Sequence, residues 1–151
     1  MNPLVRVILG SKSDMAIGDG IKEYLEKLEI PYDFHVSSAH RKPDNTTKLS
    51  KHAKDEGVKV IIAVAGMSAH LPGVVAAHTT LPVIGVPVKG NTLTGEDALY
   101  SIVQMPTGVP VASVAINGGK NAAILACQIL GTSDTKFSKI MQEFKKELAG
   151  G

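Results

Sequence analysis

The sequence predicts an α/β protein, a three-layer doubly wound domain in which helices cover both faces of a five-stranded parallel sheet. Short runs of Val, Ile and Leu recur along the chain, and apolar stripes at helical spacing lie between them. Continuous apolar runs are typical of parallel strands covered on both faces, because a half-exposed strand alternates apolar and polar residues. The 151 residues suit one domain with one core, so we expect residues 1–151 to fold as a single domain.

The five predicted strands alternate with helical segments, which implies right-handed crossovers in an open sheet of the flavodoxin-like kind. In such sheets ligands bind beyond the carboxyl ends of the strands, near the point where the strand order reverses. The loops that follow the strands are therefore the places to look for chemistry. The strands are predicted at residues 4–9, 32–36, 60–65, 82–88 and 110–116, of which the second is more polar than the rest.

Three helices have clear patterns. The first has four apolar residues at i, i+3, i+4 and i+7, which puts them on one face. Residues 121–130 are rich in Ala, Ile and Leu and predict a largely buried helix. Residues 135–149 carry a second stripe that must pack on something. The first face comprises Ile21, Tyr24, Leu25 and Leu28, and the last stripe Phe137, Ile140, Met141, Phe144 and Leu148.

Composition and charge exclude several classes of partner. Sixteen Lys and Arg against fourteen Asp and Glu give a net charge of +2, too small a bias for electrostatic nucleic-acid binding. The start of the sequence lacks a signal-peptide pattern, and no apolar run approaches the roughly 20 residues that cross a bilayer. The single cysteine, Cys127, fits a reducing compartment. We expect a cytoplasmic protein with no nucleic-acid or membrane partner.

The loops after the first two predicted strands combine hydroxyls with charged groups. Ser11, Ser13 and Asp14 precede a helix whose free backbone N–H groups suit a phosphate, although ordinary helix capping also explains them. The glycine spacing fits neither a Walker loop nor a dinucleotide fingerprint. In the second loop, His40 beside Arg41 offers an acid-base group next to an anion ligand, with a structural role for His40 as the alternative.

The third loop, residues 65–73, has small residues that allow a ligand to approach the backbone. Here His70 either contacts a ligand or braces the turn. A hydrolase with Ser68 as nucleophile would need glycine in place of His70. Residues 101–108 predict either core packing or a pocket wall. No histidine spacing or cysteine pair predicts a metal site.

The three loops contain the motifs Gly10-Ser11-x-Ser13-Asp14, Ser38-Ala39-His40-Arg41-x-Pro43 and Gly66-x-x-Ala69-His70-Leu71-Pro72-Gly73. In order and spacing, these motifs with residues 81–87 and 101–106 closely resemble the class I 5-(carboxyamino)imidazole ribonucleotide mutases of bacterial purine biosynthesis. The resemblance covers nearly the whole chain.

The resemblance implies an isomerase that needs no cofactor and no metal. Such an enzyme moves a carboxylate from the exocyclic nitrogen to ring carbon 4 of aminoimidazole ribonucleotide, by decarboxylation and recarboxylation. It also implies a single catalytic domain in a homo-octamer, with the helix at about residues 135–149 packing on a neighbouring subunit.

By position, the resemblance makes His40 the acid-base residue and His70 a substrate-binding residue. Asp14 would bind the ribose hydroxyls. The ribose phosphate would be held by Ser11, Ser13, Asp14 and Arg41, and the base and carboxylate by Ser38, Ala39, Gly66, Ser68, Ala69 and Leu71.

Two residues depart from the family pattern, because Met67 stands where glycine is common and Lys42 where threonine is usual. Two alternatives to the mutase also remain. One is the related carboxylase that accepts free carbon dioxide, and the other is a ribonucleotide-binding module without chemistry. Arg41 and residues 71–73 favour the mutase over the carboxylase.

Overall fold

The computed structural model of the chain describes residues 2–67 and 69–150. Its five strands form one parallel sheet in the order β2-β1-β3-β4-β5. This confirms the predicted flavodoxin-like doubly wound sheet, whose strand order reverses between β1 and β3. The strands are β1 (Val5–Leu9), β2 (Tyr32–Val36), β3 (Val60–Gly66), β4 (Val83–Val88) and β5 (Ala112–Ser113).

Six helices cover the two faces of the sheet. Alternate strand residues point to opposite faces, so Val7 and Ile62 pack in one core and Ile8 and Ile61 in the other. The first face carries α1 (Met15–Lys27) and α5 (Gly119–Gly131), with α6 (Thr135–Gly150) packed against α5. The second is covered by α2 (Pro43–His52), α3 (Leu71–Ala77) and α4 (Glu96–Val103).

Helix α1 lies unusually close to the sheet at Gly18. A Cβ atom on Gly18 would lie 2.7 Å from Phe34 Cζ and 2.9 Å from Leu9 Cδ2. Real Cβ atoms do not approach other atoms so closely, so any larger residue would have to displace the Phe34 and Leu9 side chains. The contact fixes the start of α1, and hence the loop before it, at the carboxyl ends of β1 and β2.

Strand β5 is much shorter than the predicted 110–116, because Pro87 interrupts its pairing with β4. The carbonyls of Gly85 and Pro87 face β5, where they accept hydrogen bonds from Val114 N–H at 3.3 Å and Asn117 N–H at 2.8 Å. Pro87 has no N–H to donate on that side, so one backbone hydrogen bond of the β4–β5 pairing cannot form. The chain beyond Ser113 leaves the sheet as irregular structure.

Helix α6 packs on its own chain through three residues of the predicted stripe. Phe137, Met141 and Phe144 are buried in the core with α5, and the Phe144 ring meets Tyr24 of α1 edge to face at 6.4 Å. Only Leu148 of the predicted stripe is strongly exposed, at 61%. Most of the stripe thus packs within the chain, and packing of α6 on a neighbouring subunit stays a prediction.

A buried arginine joins the first two strands to the α2 layer. The Arg6 guanidinium donates to Asp33 at 2.7 Å and to the Leu49 carbonyl at 2.9 Å, and it also pairs with Glu56. Burial alone would raise the pKa of Asp33, but the hydrogen bonds from Arg6 outweigh it and hold that pKa below its ordinary value.

None of the helices in the described residues is both long and apolar enough to cross a membrane.

Candidate active site

A cleft of about 600 Å³ opens at the carboxyl ends of β1, β2, β3 and β4. It spans the β1–β3 boundary, where doubly wound sheets bind their ligands, and its volume is in the usual range for small-molecule sites. Ten of the predicted site residues line it: Ser11, Ser13, Asp14, Ser38, Ala39, His40, Arg41, Gly66, His70 and Leu71.

Two other predicted site residues are not on the described wall of the cleft. Ala69 was expected to line the pocket, but its side chain is buried in the core between the sheet and α3. Its backbone N–H donates to the Met67 carbonyl at 2.9 Å, which turns the small side chain inward. Ser68 lies outside the described residues.

The β1 loop forms a short helical turn that positions its hydroxyls. The Ser11 Oγ accepts hydrogen bonds from the Ser13 N–H at 3.3 Å and the Ser13 Oγ at 3.0 Å. The Ser11 hydroxyl therefore caps this turn, whereas Asp14, at the N-cap of α1, makes no side-chain capping hydrogen bond. Both serines lie on the wall of the cleft. A phosphate would meet hydroxyl donors and the N-terminal end of the turn that leads into α1.

Asp14 is the buried carboxylate of the site, with only 7% of its surface exposed. Burial raises its pKa above the ordinary value, and a hydrogen bond from the Ser11 backbone partly offsets this. A carboxylate that burial has removed from water is stabilised in its charged form by a new hydrogen-bond donor. A ribose hydroxyl on the cleft side would supply one.

The β2 loop is tied to α2, which presents His40 and Arg41 at the cleft. The Arg41 backbone N–H donates to the Ser38 Oγ at 3.1 Å. Beneath the loop, the buried hydroxyls of Ser37 and Thr46 share a hydrogen bond of 2.8 Å. Since both ends of the turn are fixed, its two exposed functional side chains project from a rigid base.

The two histidines of the cleft contact each other directly. His40 Nε2 lies 2.7 Å from His70 Nδ1, and the two rings are nearly perpendicular, at 88°. At that separation one of the two nitrogens carries the hydrogen and the other accepts it. The bond sets the orientation of the His40 ring and leaves its Nδ1 available to a ligand. The sequence placed both residues at one edge of the sheet but did not predict this bond.

Sequence reasoning missed the wall formed by the loop after β4. Val88, Lys89, Gly90 and Asn91 line the cleft there, and the Lys89 backbone N–H donates to the Asn117 Oδ1 at 3.0 Å. The general rule that ligands bind at strand ends pointed to this loop, but it has no histidine or arginine motif to attract notice. Lys89 adds a second cation to a site where only Arg41 was predicted.

The segment 101–108, predicted as core or pocket wall, is core only at Ile102, and most of its other residues are exposed. Its Met105 side chain lies against α3, since a Cβ on Gly73 would be 3.1 Å from the Met105 sulfur. None of its residues is among those that line the cleft. Within the described residues, no three His, Cys, Asp or Glu side chains are grouped as a metal site would require.

The cleft thus has two functional halves. Hydroxyls, a buried carboxylate and Arg41 suit a ribose phosphate, and the His40–His70 pair can give and take a proton beside it. This arrangement supports acid-base chemistry on a small anionic ligand.

Comparison with known proteins gives close relatives. The family model described as AIR carboxylase matches residues 4–150. The N5-carboxyaminoimidazole ribonucleotide mutase of Thermotoga maritima is 51% identical, over 97% of this chain and 85% of its own. The phosphoribosylaminoimidazole carboxylase of Candida glabrata is 54% identical over 94% of this chain, which spans only 25% of that relative's length.

The solved structures agree with the sequence relatives. PurE of Treponema denticola superposes with a TM-score of 0.89 at 29% identity, covering 98% of this chain and 92% of its own. A variant of PurE2 from the same organism gives 0.90 at 29% identity, with 99% and 93% coverage. A family match along almost the whole sequence, with relatives near half identity, shows that this chain belongs to the AIR carboxylase family.

Proposed function

We propose that the chain is a 5-(carboxyamino)imidazole ribonucleotide mutase of purine biosynthesis. The observation that carries the proposal is the His40–His70 pair, hydrogen-bonded at 2.7 Å on the wall of a cleft that also holds an anion site. The relatives from Thermotoga maritima and Pyrococcus horikoshii, at 51% and 47% identity, are named for this activity.

The substrate would lie across the strand ends with its phosphate over the β1 and β2 loops. Ser11, Ser13 and Arg41 would bind the phosphate, and Asp14 the ribose hydroxyls. The base and its carboxylate would then reach the β3 side of the cleft, against Gly66 and Leu71. Ser38 and Ala39 would complete this part of the pocket, next to the histidine pair.

His40 would move the one proton that the reaction needs. In the first half-reaction the bond between the exocyclic nitrogen and the carboxylate carbon breaks, carbon dioxide leaves, and the nitrogen takes a proton from His40. In the second, ring carbon 4 bonds to carbon dioxide and returns its own proton to His40. The cycle has no net proton, ATP or metal requirement, and histidine suits it because an imidazole can donate a proton and then accept one.

Two other functions use the same cleft. The fungal relatives, such as that of Candida glabrata, are named as carboxylases, although this chain spans only 25% of its length. A carboxylase would take free carbon dioxide and aminoimidazole ribonucleotide. A binding module would hold the ribonucleotide without converting it.

Turnover of the carboxyamino substrate by the purified protein, without ATP or metal, tests the proposal. We expect the C4-carboxylated product to form at a rate independent of added bicarbonate. Product formation only from aminoimidazole ribonucleotide plus bicarbonate would identify a carboxylase instead. Ligand binding without turnover of either substrate would identify a binding module.

Assembly and location complete the proposal. We propose a homo-oligomer, an octamer by resemblance, that works in the cytoplasm. The Cys127 thiol is buried, and burial raises its pKa to about 11, so it stays protonated and unreactive.

A further inference from the structure

Met67 combines two unfavourable features. Its φ of 53° lies in the left-handed region, which an unbranched side chain adopts only at an energetic cost. Its apolar side chain is also 67% exposed on the wall of the cleft. A strained backbone that displays an apolar group to water gains nothing in the free protein, which points to a role in the liganded one.

The Met67 side chain lies between two walls of the cleft. It follows the last residue of β3, and its Cγ would lie 3.7 Å from a Cβ placed on Gly90 in the loop after β4. Directly below, Gly66 packs closely on β4, because a Cβ there would be 3.2 Å from the Val88 carbonyl oxygen. The left-handed backbone at residue 67 thus places the Met67 side chain against the loop after β4, at the β3–β4 end of the cleft.

We propose that Met67 is an apolar cover that keeps carbon dioxide beside the aminoimidazole ring between the two half-reactions. The inference rests on the proposed function and adds a specificity-determining residue to it. Carbon dioxide is uncharged once the nitrogen–carbon bond has broken, so neither Arg41 nor Lys89 can hold it as an anion. Its retention depends on excluding water and blocking escape, which a pliable apolar side chain does well.

A carbon-label experiment measures this retention. The substrate carries ¹³C in its N-carboxylate, and the reaction runs in excess unlabelled carbon dioxide and bicarbonate. The fraction of ¹³C in the C4-carboxylated product reports how often the original molecule of carbon dioxide is used. We expect the unmodified protein to transfer most of the label.

Three substitutions separate the effect of the apolar side chain on label transfer from the effect of the backbone strain. Glycine and asparagine tolerate the left-handed region, so Met67→Gly and Met67→Asn both relieve strain but remove the apolar cover. We expect several-fold lower label transfer in both variants, with unchanged affinity for aminoimidazole ribonucleotide. Met67→Leu keeps an apolar group and should keep the label. Leu148→Asn is the matched control, because Leu148 is exposed but does not line the cleft.

The outcomes distinguish this inference from the proposed function. Full label transfer by Met67→Gly would overturn the proposed covering role of Met67. An equal loss of label transfer in Met67→Leu and Met67→Gly would also overturn it. Weaker ribonucleotide binding in Met67→Gly, in proportion to its loss of label, would make Met67 a binding residue instead. An unmodified protein that makes no product would overturn the proposed function, and the cover with it.

Discussion

The proton-transfer role of His40 can be tested with little change to the shape of the cleft. His40→Asn keeps polarity and approximate size but cannot titrate. We expect near-normal substrate affinity and a kcat lower by about a hundredfold or more, the usual contribution of general acid-base catalysis. His52→Asn, at the exposed end of α2, is the control. Substantial turnover by His40→Asn would remove His40 from the mechanism.

Arg41 should contribute affinity rather than rate. Arg41→Ala removes a charge-assisted hydrogen bond to the phosphate, so we expect binding weaker by about 1.5 to 3 kcal/mol and a KM raised about ten- to hundredfold. Lys42→Ala is the matched control, because Lys42 is a neighbouring exposed cation that does not line the cleft. An unchanged KM in Arg41→Ala would exclude contact with the phosphate.

We expect Asp14 to lower the stability of the free protein and to strengthen the binding of the ribonucleotide. Burial raises its folded-state pKa above the unfolded value, so between these two pKa values the folded protein binds more protons and stability falls as pH rises. At pH 7 the ionised carboxylate therefore costs folding free energy. We expect Asp14→Asn to raise the free energy of unfolding by about 0.5 to 2 kcal/mol and to weaken ribonucleotide binding.

Urea unfolding at several pH values checks the prediction for Asp14. The advantage of Asp14→Asn should shrink as pH falls through the raised folded-state pKa of Asp14, and it should be gone below about 4, where the unmodified carboxyl is protonated in both states. A stability gain that is constant across pH would show that the charge is not its cause.

Site residues were predictable where a reactive side chain directly follows a predicted strand. His40 and Arg41 stand out because reactive side chains follow directly after a strand, where ligands bind. The bond between His40 and His70 was not predictable, since it depends on the conformations of two loops 30 residues apart in sequence. Lys89 was missed because a lone lysine after a strand is usually just solvated.

Among the elements, α1 offers a matched pair of glycines for testing its packing. A Cβ on Gly18 would lie 2.7 Å from Phe34, whereas one on Gly20 would meet only the flexible Lys120 side chain at 3.5 Å. We expect Gly18→Ala to lower the free energy of unfolding by about 1 to 3 kcal/mol through overpacking. Gly20→Ala should raise it by about 0.5 to 1 kcal/mol, because alanine favours the helix. Equal effects of the two substitutions in urea unfolding would contradict the close α1–sheet contact.

An element was predictable where its own residues show how it is buried, and less so where its length or packing depends on another element. The central strands β1, β3 and β4 are buried on both faces, so their apolar runs identify them. Strand β5 is an edge strand whose length depends on hydrogen bonds from β4, and the effect of Pro87 appears only when the two are paired. The stripe on α6 predicted that it packs, but a stripe does not say whether its partner is in the same chain.

At the scale of the whole molecule, exposed apolar side chains indicate where copies of the chain would meet. With the α6 stripe largely buried, the large exposed apolar residues away from the cleft are Leu93, Tyr100, Val103 and Leu148, among the described residues. Tyr100 and Val103 are 61% and 45% exposed and lie three positions apart on α4, hence on one face, with Leu93 in the loop before it. Leu148 is alone near the end of α6. The α4 face is therefore the stronger candidate for self-association.

The assembly prediction is that the chain forms a homo-oligomer through the α4 face. Charges introduced there would have to be buried in the interface, so Tyr100→Glu with Val103→Lys should lower the mass measured by light scattering at micromolar concentration. Leu148→Lys changes an equally exposed apolar residue on α6 and should leave the mass unchanged. The reverse result would move the interface to α6, as the resemblance first implied. A monomeric unmodified protein at that concentration would reject the assembly, whereas the proposed activity is tested separately by turnover.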